Sequence, residues 1–104
     1  MFVAYEVARQ LICELRPVVE SLRRHDADAT KQLVRAGTSV LLNLGEGVRR
    51  RGGDQKRFYA MAHGSASEVR AVLDVADAWG WSTDAAKPRV TIDRLLGLLW
   101  GLTH

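Results

Sequence analysis

The feature that most constrains the fold is an apolar repeat with alternating spacings of three and four residues, which recurs along most of the chain. Such spacing places side chains on one stripe of an α-helix. It predicts helices over about residues 3–24, 29–47 and 54–79, followed by a shorter fourth helix that ends the sequence. The three stripes are Ala4, Ala8, Leu11, Leu15, Val18 and Leu22; then Leu33, Gly37, Val40 and Leu44; then Phe58, Ala62, Ser65, Val69, Val72, Ala76 and Trp79. The sequence lacks the two-residue alternation of a half-buried strand, so we predict one all-α domain over residues 1–104, an antiparallel up-down-up-down four-helix bundle.

Proline and capping residues mark where these helices bend, begin and end. Pro17 interrupts the first stripe without shifting it, which predicts one kinked helix in place of two. Asp28 or Thr30 is expected to cap the second helix, and Gly80 is the expected end of the third.

Glycines also fall at and within these helices. Gly52 and Gly53 predict a turn before the third helix, with Asp54 as its cap. Gly37 and Gly45 lie inside the second helix, where each costs about 1 kcal/mol relative to alanine. A close approach of a neighbouring helix at these two glycines is the expected compensation.

The fourth helix is apolar on nearly every side. A small bundle buries only one side of a terminal helix, so part of this surface is expected to meet another subunit. The residues concerned are Leu95, Leu96, Leu98, Leu99, Trp100 and Leu102.

Charge and cysteine content narrow the class of protein. Residues 1–52 hold nine basic and six acidic residues, whereas residues 53–104 hold six of each, so the whole +3 net charge lies in the first half. This mild excess permits an anionic partner without requiring one.

Cys13 lies among apolar residues and is expected to fill space in the core, with no disulfide. We expect a cytoplasmic protein, because the sequence shows neither a signal peptide nor a membrane-spanning segment.

The residue types needed for metal binding or catalysis are not brought together by spacing. The Glu-x-x-His pairs of di-iron bundles are absent, and His25, His63 and His104 have no second ligand at a suitable distance in sequence. Ser65 and His63 are two residues apart and so point in different directions on a helix. We therefore expect no catalytic residues, no metal, no cofactor and no enzymatic activity.

Five of the fifteen basic residues lie within nine positions, at the junction between the second and third helices. They are Arg49, Arg50, Arg51, Lys56 and Arg57. A turn can present several long basic side chains together, which favours contacts with phosphates, and Arg50 and Arg51 are expected to contribute most. The heptad-like spacing predicts a core position for Phe58 and leaves Tyr59 as a surface on which a base could stack. The alternative is a solvated turn whose charges only complement the helix dipole.

A set of polar residues interrupts the apolar pattern of the second and third helices. If these helices are antiparallel neighbours, the set can meet in a buried network that fixes their register, or it can form a ligand site. Its members are Arg35, Ser39, Asn43, Glu46, Ser65 and Glu68. We favour the structural network.

Two motifs in these helices resemble a known protein family. "QLVRAGTSVLLNLGEG", residues 32–47, is similar to Q-x-x-R-A-x-x-S-[IV]-x-x-N-[IL]-A-E-G, and "FYAMAHGSASE", residues 58–68, is similar to F-x-x-x-A-x-G-S-x-x-E. Both motifs resemble the four-helix bundle proteins encoded in intervening sequences of bacterial 23S ribosomal RNA genes and the accessory protein of diversity-generating retroelements. Gly45, where alanine is usual, Ala66, where leucine is frequent, and the short fourth helix depart from the pattern.

The resemblance implies an up-down-up-down bundle, often assembled as a homopentameric ring, without known enzymatic activity. It also implies a link to nucleic acid, because the retroelement accessory protein is a basic partner of a reverse transcriptase. Our leading hypothesis is an oligomeric, nonenzymatic bundle that binds RNA or single-stranded DNA at the basic junction, as an accessory to a reverse transcriptase or to a ribosomal RNA element. The alternative is a protein-interaction scaffold that docks a partner through its apolar fourth helix.

Overall fold

Four helices form an antiparallel bundle in the computed structural model, which describes residues 2–104. Each helix packs against its neighbours in sequence, and the first packs against the fourth to close the bundle. The helices are α1 (Val3–Arg23), α2 (Ala27–Val48), α3 (Gly52–Trp79) and α4 (Ala86–Thr103). The predicted four-helix bundle is thus confirmed. None of these helices combines the length and apolar character that crossing a membrane requires.

The predicted stripes of α1 and α2 form the core on their side of the bundle. Every residue of both stripes is buried, with Leu11, Leu22, Leu33 and Leu44 completely inaccessible to solvent. The α1 helix continues through Pro17 as one helix, as the unbroken stripe predicts. Cys13 is exposed, so the expectation that it fills the core was wrong.

The buried stripe of α3 agrees in part with the predicted one. It consists of Tyr59, Ala62, Ala66, Val69, Leu73 and Ala76, with Val72 beside it. Phe58 and Ser65 are only half-buried, and Trp79 is 73% exposed. The prediction is confirmed for Ala62, Val69, Val72 and Ala76. It was wrong for Phe58, Ser65 and Trp79, and it missed the buried Tyr59, Ala66 and Leu73.

The second helix begins earlier than predicted. The side chain of Asp26 accepts a 2.8 Å hydrogen bond from the backbone N–H of Ala29, so Asp26 is the N-cap. Neither Asp28 nor Thr30 has that role, because Thr30 donates its hydroxyl to the Asp26 carbonyl at 2.7 Å. The α2 helix therefore gains two residues at its start.

The third helix also begins before its predicted cap. Gly52, with φ of 58°, and Gly53 form the first turn of α3, and Asp54 lies inside that turn without capping it. The predicted end is confirmed, since Gly80 adopts the left-handed conformation with φ of 76°.

The close approach between helices occurs at Gly47, not at the two glycines predicted. A Cβ at Gly47 would lie 2.5 and 2.7 Å from ring carbons of Tyr59 on α3. A Cβ at Gly37 or Gly45 would have neighbours no nearer than 3.7 and 3.9 Å, which is ordinary van der Waals contact. The missing side chain of Gly47 therefore makes room for the buried Tyr59 ring.

The fourth helix buries more of its apolar surface than expected for a terminal helix. Leu95, Leu96 and Leu99 are buried, and Leu98 and Leu102 pack partly against the core. Thr91 also donates a hydrogen bond to Glu14, which ties α4 to α1. Trp100, 55% exposed, and Val90, 73% exposed, are the large apolar residues that α4 leaves outside, so little of this helix remains for a partner.

Candidate nucleic-acid interface

The basic junction is a three-residue turn at one end of the bundle. Because α2 ends at Val48 and α3 begins at Gly52, the whole connection consists of Arg49, Arg50 and Arg51, all of them exposed. Gln55 holds this turn in place, since its side-chain amide donates 3.0 Å hydrogen bonds to the carbonyls of Gly47 and Arg50. The sequence analysis did not identify Gln55, because its role depends on the turn geometry.

Arg50 is held between two carboxylates within the junction. Its guanidinium lies 3.1 Å from Glu46 and 3.2 Å from Asp54, and these contacts, with the Glu46 hydrogen bond first, raise the pKa of Arg50. The hydrogen bond from Arg57, 3.0 Å from the Asp54 carboxylate, is the main reason that the pKa of Asp54 is lowered. Arg50 is therefore paired with carboxylates of its own chain, and its expected place among the main phosphate contacts stays a prediction.

An aromatic ring lies between two of the junction arginines. The Arg50 guanidinium is 5.1 Å from the centroid of the Phe58 ring, and the Arg57 guanidinium is 4.6 Å from it. Both distances are within the range of a cation–π interaction. Phe58 thus helps to fix these two side chains at the surface, although the sequence predicted it to be a core residue.

Tyr59 cannot serve as the predicted stacking surface, because it is buried. Its ring is 6% exposed and lies 5.6 Å from that of Phe2, and loss of solvation raises the pKa of its hydroxyl. The prediction placed Phe58 in the core and Tyr59 at the surface, but Tyr59 faces the core and Phe58 lies at the surface of the junction.

The remaining three basic residues of the junction are available to an anion. Arg49 is 77% exposed and reaches Glu46 only at 3.9 Å. Within the described part of the chain, Arg51 and Lys56 have no carboxylate within 4.0 Å. We call Arg49, Arg51 and Lys56 the free cations of the junction, with Arg49 included because its one ion pair, to Glu46, is long and exposed to solvent.

The start of α3 adds backbone donors to this surface. Arg51 is its N-cap residue and makes no capping side-chain hydrogen bond. Arg49, Arg50, Arg51 and Gly52 line one shallow pocket beside this helix start, together with Val48 and Gln55. Unpaired N–H groups and the helix dipole both favour a negative group in such a position. The arrangement therefore offers a positively charged surface with backbone donors to a negative group.

Three members of the predicted polar network do meet between α2 and α3. The Asn43 amide donates to the Ser39 hydroxyl at 3.0 Å and to the Ser39 carbonyl at 2.9 Å. The Ser65 hydroxyl donates to that of Ser39 at 2.8 Å and so links the two helices. Within the described residues, no buried side-chain nitrogen or oxygen atom of this half-buried cluster lacks a hydrogen-bond partner.

The other three members lie outside the cluster. Arg35 and Glu68 are exposed, and Glu46 pairs with Arg49 and Arg50 at the junction. Including them in a buried network was wrong, because their positions on the helices turn them away from the contact between α2 and α3. Glu46 belongs instead to the basic junction.

The residues from 2 to 104 include no group of three or more His, Cys, Asp or Glu side chains placed to hold a metal ion.

A comparison with protein families gives a match over residues 2–95 to the family described as 23S rRNA-intervening sequence protein. No curated protein sequence matches the chain significantly.

Proposed function

The chain belongs to the 23S rRNA-intervening sequence protein family, and we propose that it is a nonenzymatic bundle that binds RNA or single-stranded DNA through phosphate contacts. The observation that carries this proposal is the set of free cations at the junction, Arg49, Arg51 and Lys56, on a turn held rigid by other side chains. The junction holds five basic residues against the two carboxylates of Glu46 and Asp54. An anionic polymer is the partner that such a surface favours.

The difference between the paired and the free basic residues of the junction supports phosphate contact over base recognition. Arg50 and Arg57 are engaged with carboxylates and with Phe58, whereas the free cations extend from a turn. Reading bases requires side chains held against base edges, usually from a helix or strand placed in a groove. Long side chains on a turn suit contacts that fix position without reading sequence. The family's name connects it with 23S ribosomal RNA, which favours RNA as the first strand to test and an accessory role beside an RNA element or a reverse transcriptase.

Salt dependence of the affinity tests this proposal. For a single strand, log affinity falls with log salt by about 0.7 for each phosphate neutralised, so the free cations of the junction alone contribute about −2 to the slope. We expect this contribution for RNA and single-stranded DNA of unrelated sequences, measured by fluorescence anisotropy with labelled oligonucleotides. Affinity that stays constant as salt rises, or that follows base sequence, would contradict phosphate contact as the source of binding.

We also propose that the protein is a homo-oligomer, with the pentamer favoured by the family resemblance. Apolar side chains remain exposed on α2, where Leu42 is 66%, Val48 50% and Val34 46% accessible. A ring repeats the junction in every subunit and gains avidity from that repetition. Light scattering at micromolar concentration should give several times the chain mass of 11.5 kDa, and a monodisperse monomer of that mass would refute the oligomer.

A further inference from the structure

Three aromatic rings stack at the end of the bundle opposite the basic junction. The His25 and Trp81 rings are 5.8 Å apart and inclined by 10°, and the Trp81 and Trp79 rings are 6.3 Å apart and inclined by 16°. His25 lies in the turn between α1 and α2, and the tryptophans flank the end of α3. We call His25, Trp79 and Trp81 the aromatic ladder.

The ladder is anchored at its centre and open at its outer end. Trp81 is partly buried against the core, and Gly80 supplies the left-handed residue between the two tryptophans. Trp79 is 73% exposed, although a tryptophan normally buries most of its large apolar surface. A planar apolar ring is therefore held in solvent on a fixed support.

Cations lie on the α1–α2 side of this ladder. Arg24 precedes His25 in the turn, and Arg23, Lys31 and Arg35 line one open groove between the end of α1 and the first half of α2. Within the described residues, Arg24, Lys31 and Arg35 have no carboxylate within 4.0 Å, while Arg23 pairs with Glu20 at 3.2 Å. Stacked rings beside unpaired cations are the combination that binds single-stranded nucleic acid.

We propose that the aromatic ladder stacks with unpaired bases of a single strand, while Arg24, Lys31 and Arg35 contact its phosphates. The inference rests on the proposed function and adds to it a second contact that depends on bases. Bases inside a duplex are covered on both faces by their neighbours, so away from duplex ends it is unpaired bases that can offer a face to Trp79. The ladder therefore gives the protein a preference for single strands over duplexes, without a preference for base sequence.

A strand with bases and an abasic strand of the same length separate the two contacts. Both strands are about 20 nucleotides long and present the same phosphates, so either can reach the junction or the ladder. Only the strand with bases can stack on the ladder. We expect the parent protein to bind the strand with bases roughly tenfold more tightly than the abasic strand. Trp79→Ala should abolish that preference and leave the affinity for the abasic strand unchanged, whereas Trp79→Phe should keep most of it.

Trp100 supplies a matched control, because it is also exposed but lies on α4, away from the ladder. Trp100→Phe should keep the preference for bases. The fluorescence of its two remaining tryptophans should be quenched by the strand with bases and not by the abasic strand. Since Trp79 is exposed, its replacement should leave the helical circular dichroism unchanged.

Several outcomes would overturn the inference. Equal affinity of the parent for both strands, or a preference that survives in Trp79→Ala, would show that the ladder does not stack with bases, and the phosphate contact would stand. A loss of molar mass in Trp79→Ala would identify the ladder as a contact between copies of the chain. Failure of the parent to bind either strand would refute the proposed function, and the ladder inference with it.

Discussion

Replacing Gly47 by alanine is expected to destabilise the bundle by about 1–3 kcal/mol, the usual cost of overpacking a core. The new Cβ would lie 2.5 and 2.7 Å from carbons of the Tyr59 ring and 3.3 Å from the Phe58 Cβ. Tyr59 is buried, so its ring cannot move into solvent without losing core contacts. For a domain of this size, each kcal/mol corresponds to about 4–8 °C, so thermal unfolding followed by circular dichroism should show a clearly lower midpoint.

Gly45→Ala provides the matched control two residues earlier on the same helix. Its Cβ would find only a Tyr5 ring carbon at 3.9 Å, so the substitution should stabilise the helix by about 0.5–1 kcal/mol through alanine's higher helix propensity. The two variants are therefore expected to shift the midpoint in opposite directions. Equal shifts of the same sign would mean that α2 and α3 do not approach closely at Gly47.

Removing the free cations of the junction is expected to have the largest effect on binding. A variant with Arg49→Gln, Arg51→Gln and Lys56→Gln loses three phosphate contacts, which at about 0.1 M salt corresponds to an affinity loss on the order of 100-fold. The slope of log affinity against log salt should become flatter by about 2. Arg50 and Arg57 are left in place, because their contacts with Glu46, Asp54 and Phe58 hold the junction together.

The control for that variant changes the net charge equally at other places. Arg16, Lys87 and Arg94 are exposed, and the described structure gives them no carboxylate within 4.0 Å. Replacing these three by glutamine also lowers the formal charge from +3 to zero, so any effect of overall charge is shared by both variants. If both variants lose affinity to the same extent, the junction has no special role in binding.

The helical architecture could be predicted from the sequence because helix geometry alone converts apolar spacing into a buried stripe. Leu11, Leu22, Leu33 and Leu44 illustrate this, since their burial depends only on their own helices facing the core. Which of Phe58 and Tyr59 faces the core could not be predicted in this way. Adjacent residues differ by about 100° around a helix, and the space left by Gly47 on the neighbouring helix decides which ring turns inward.

The candidate site was only partly predictable for a related reason. The cluster of basic residues is visible in the sequence, but its division into Arg50, which is paired, and Arg51, which is free, depends on a turn that brings Glu46 and Asp54 together. Arg35 was assigned to the interior because it lies one helical turn from Ser39, among polar residues that interrupt the apolar pattern. To predict which side chains pair across a turn or between helices, one must know how the helices are placed relative to each other. The spacing of residues along one helix does not give that information.

The antiparallel arrangement also sets the length of strand needed to occupy the whole molecule. The aromatic ladder and the basic junction lie at opposite ends of α2, whose 22 residues span about 33 Å. A strand that keeps helical stacking advances about 3.4 Å per nucleotide, so roughly ten nucleotides separate the two contacts. If both proposed contacts form, two oligonucleotides much shorter than this are expected to bind each chain, one at each end, whereas a single longer one is expected to bridge both ends.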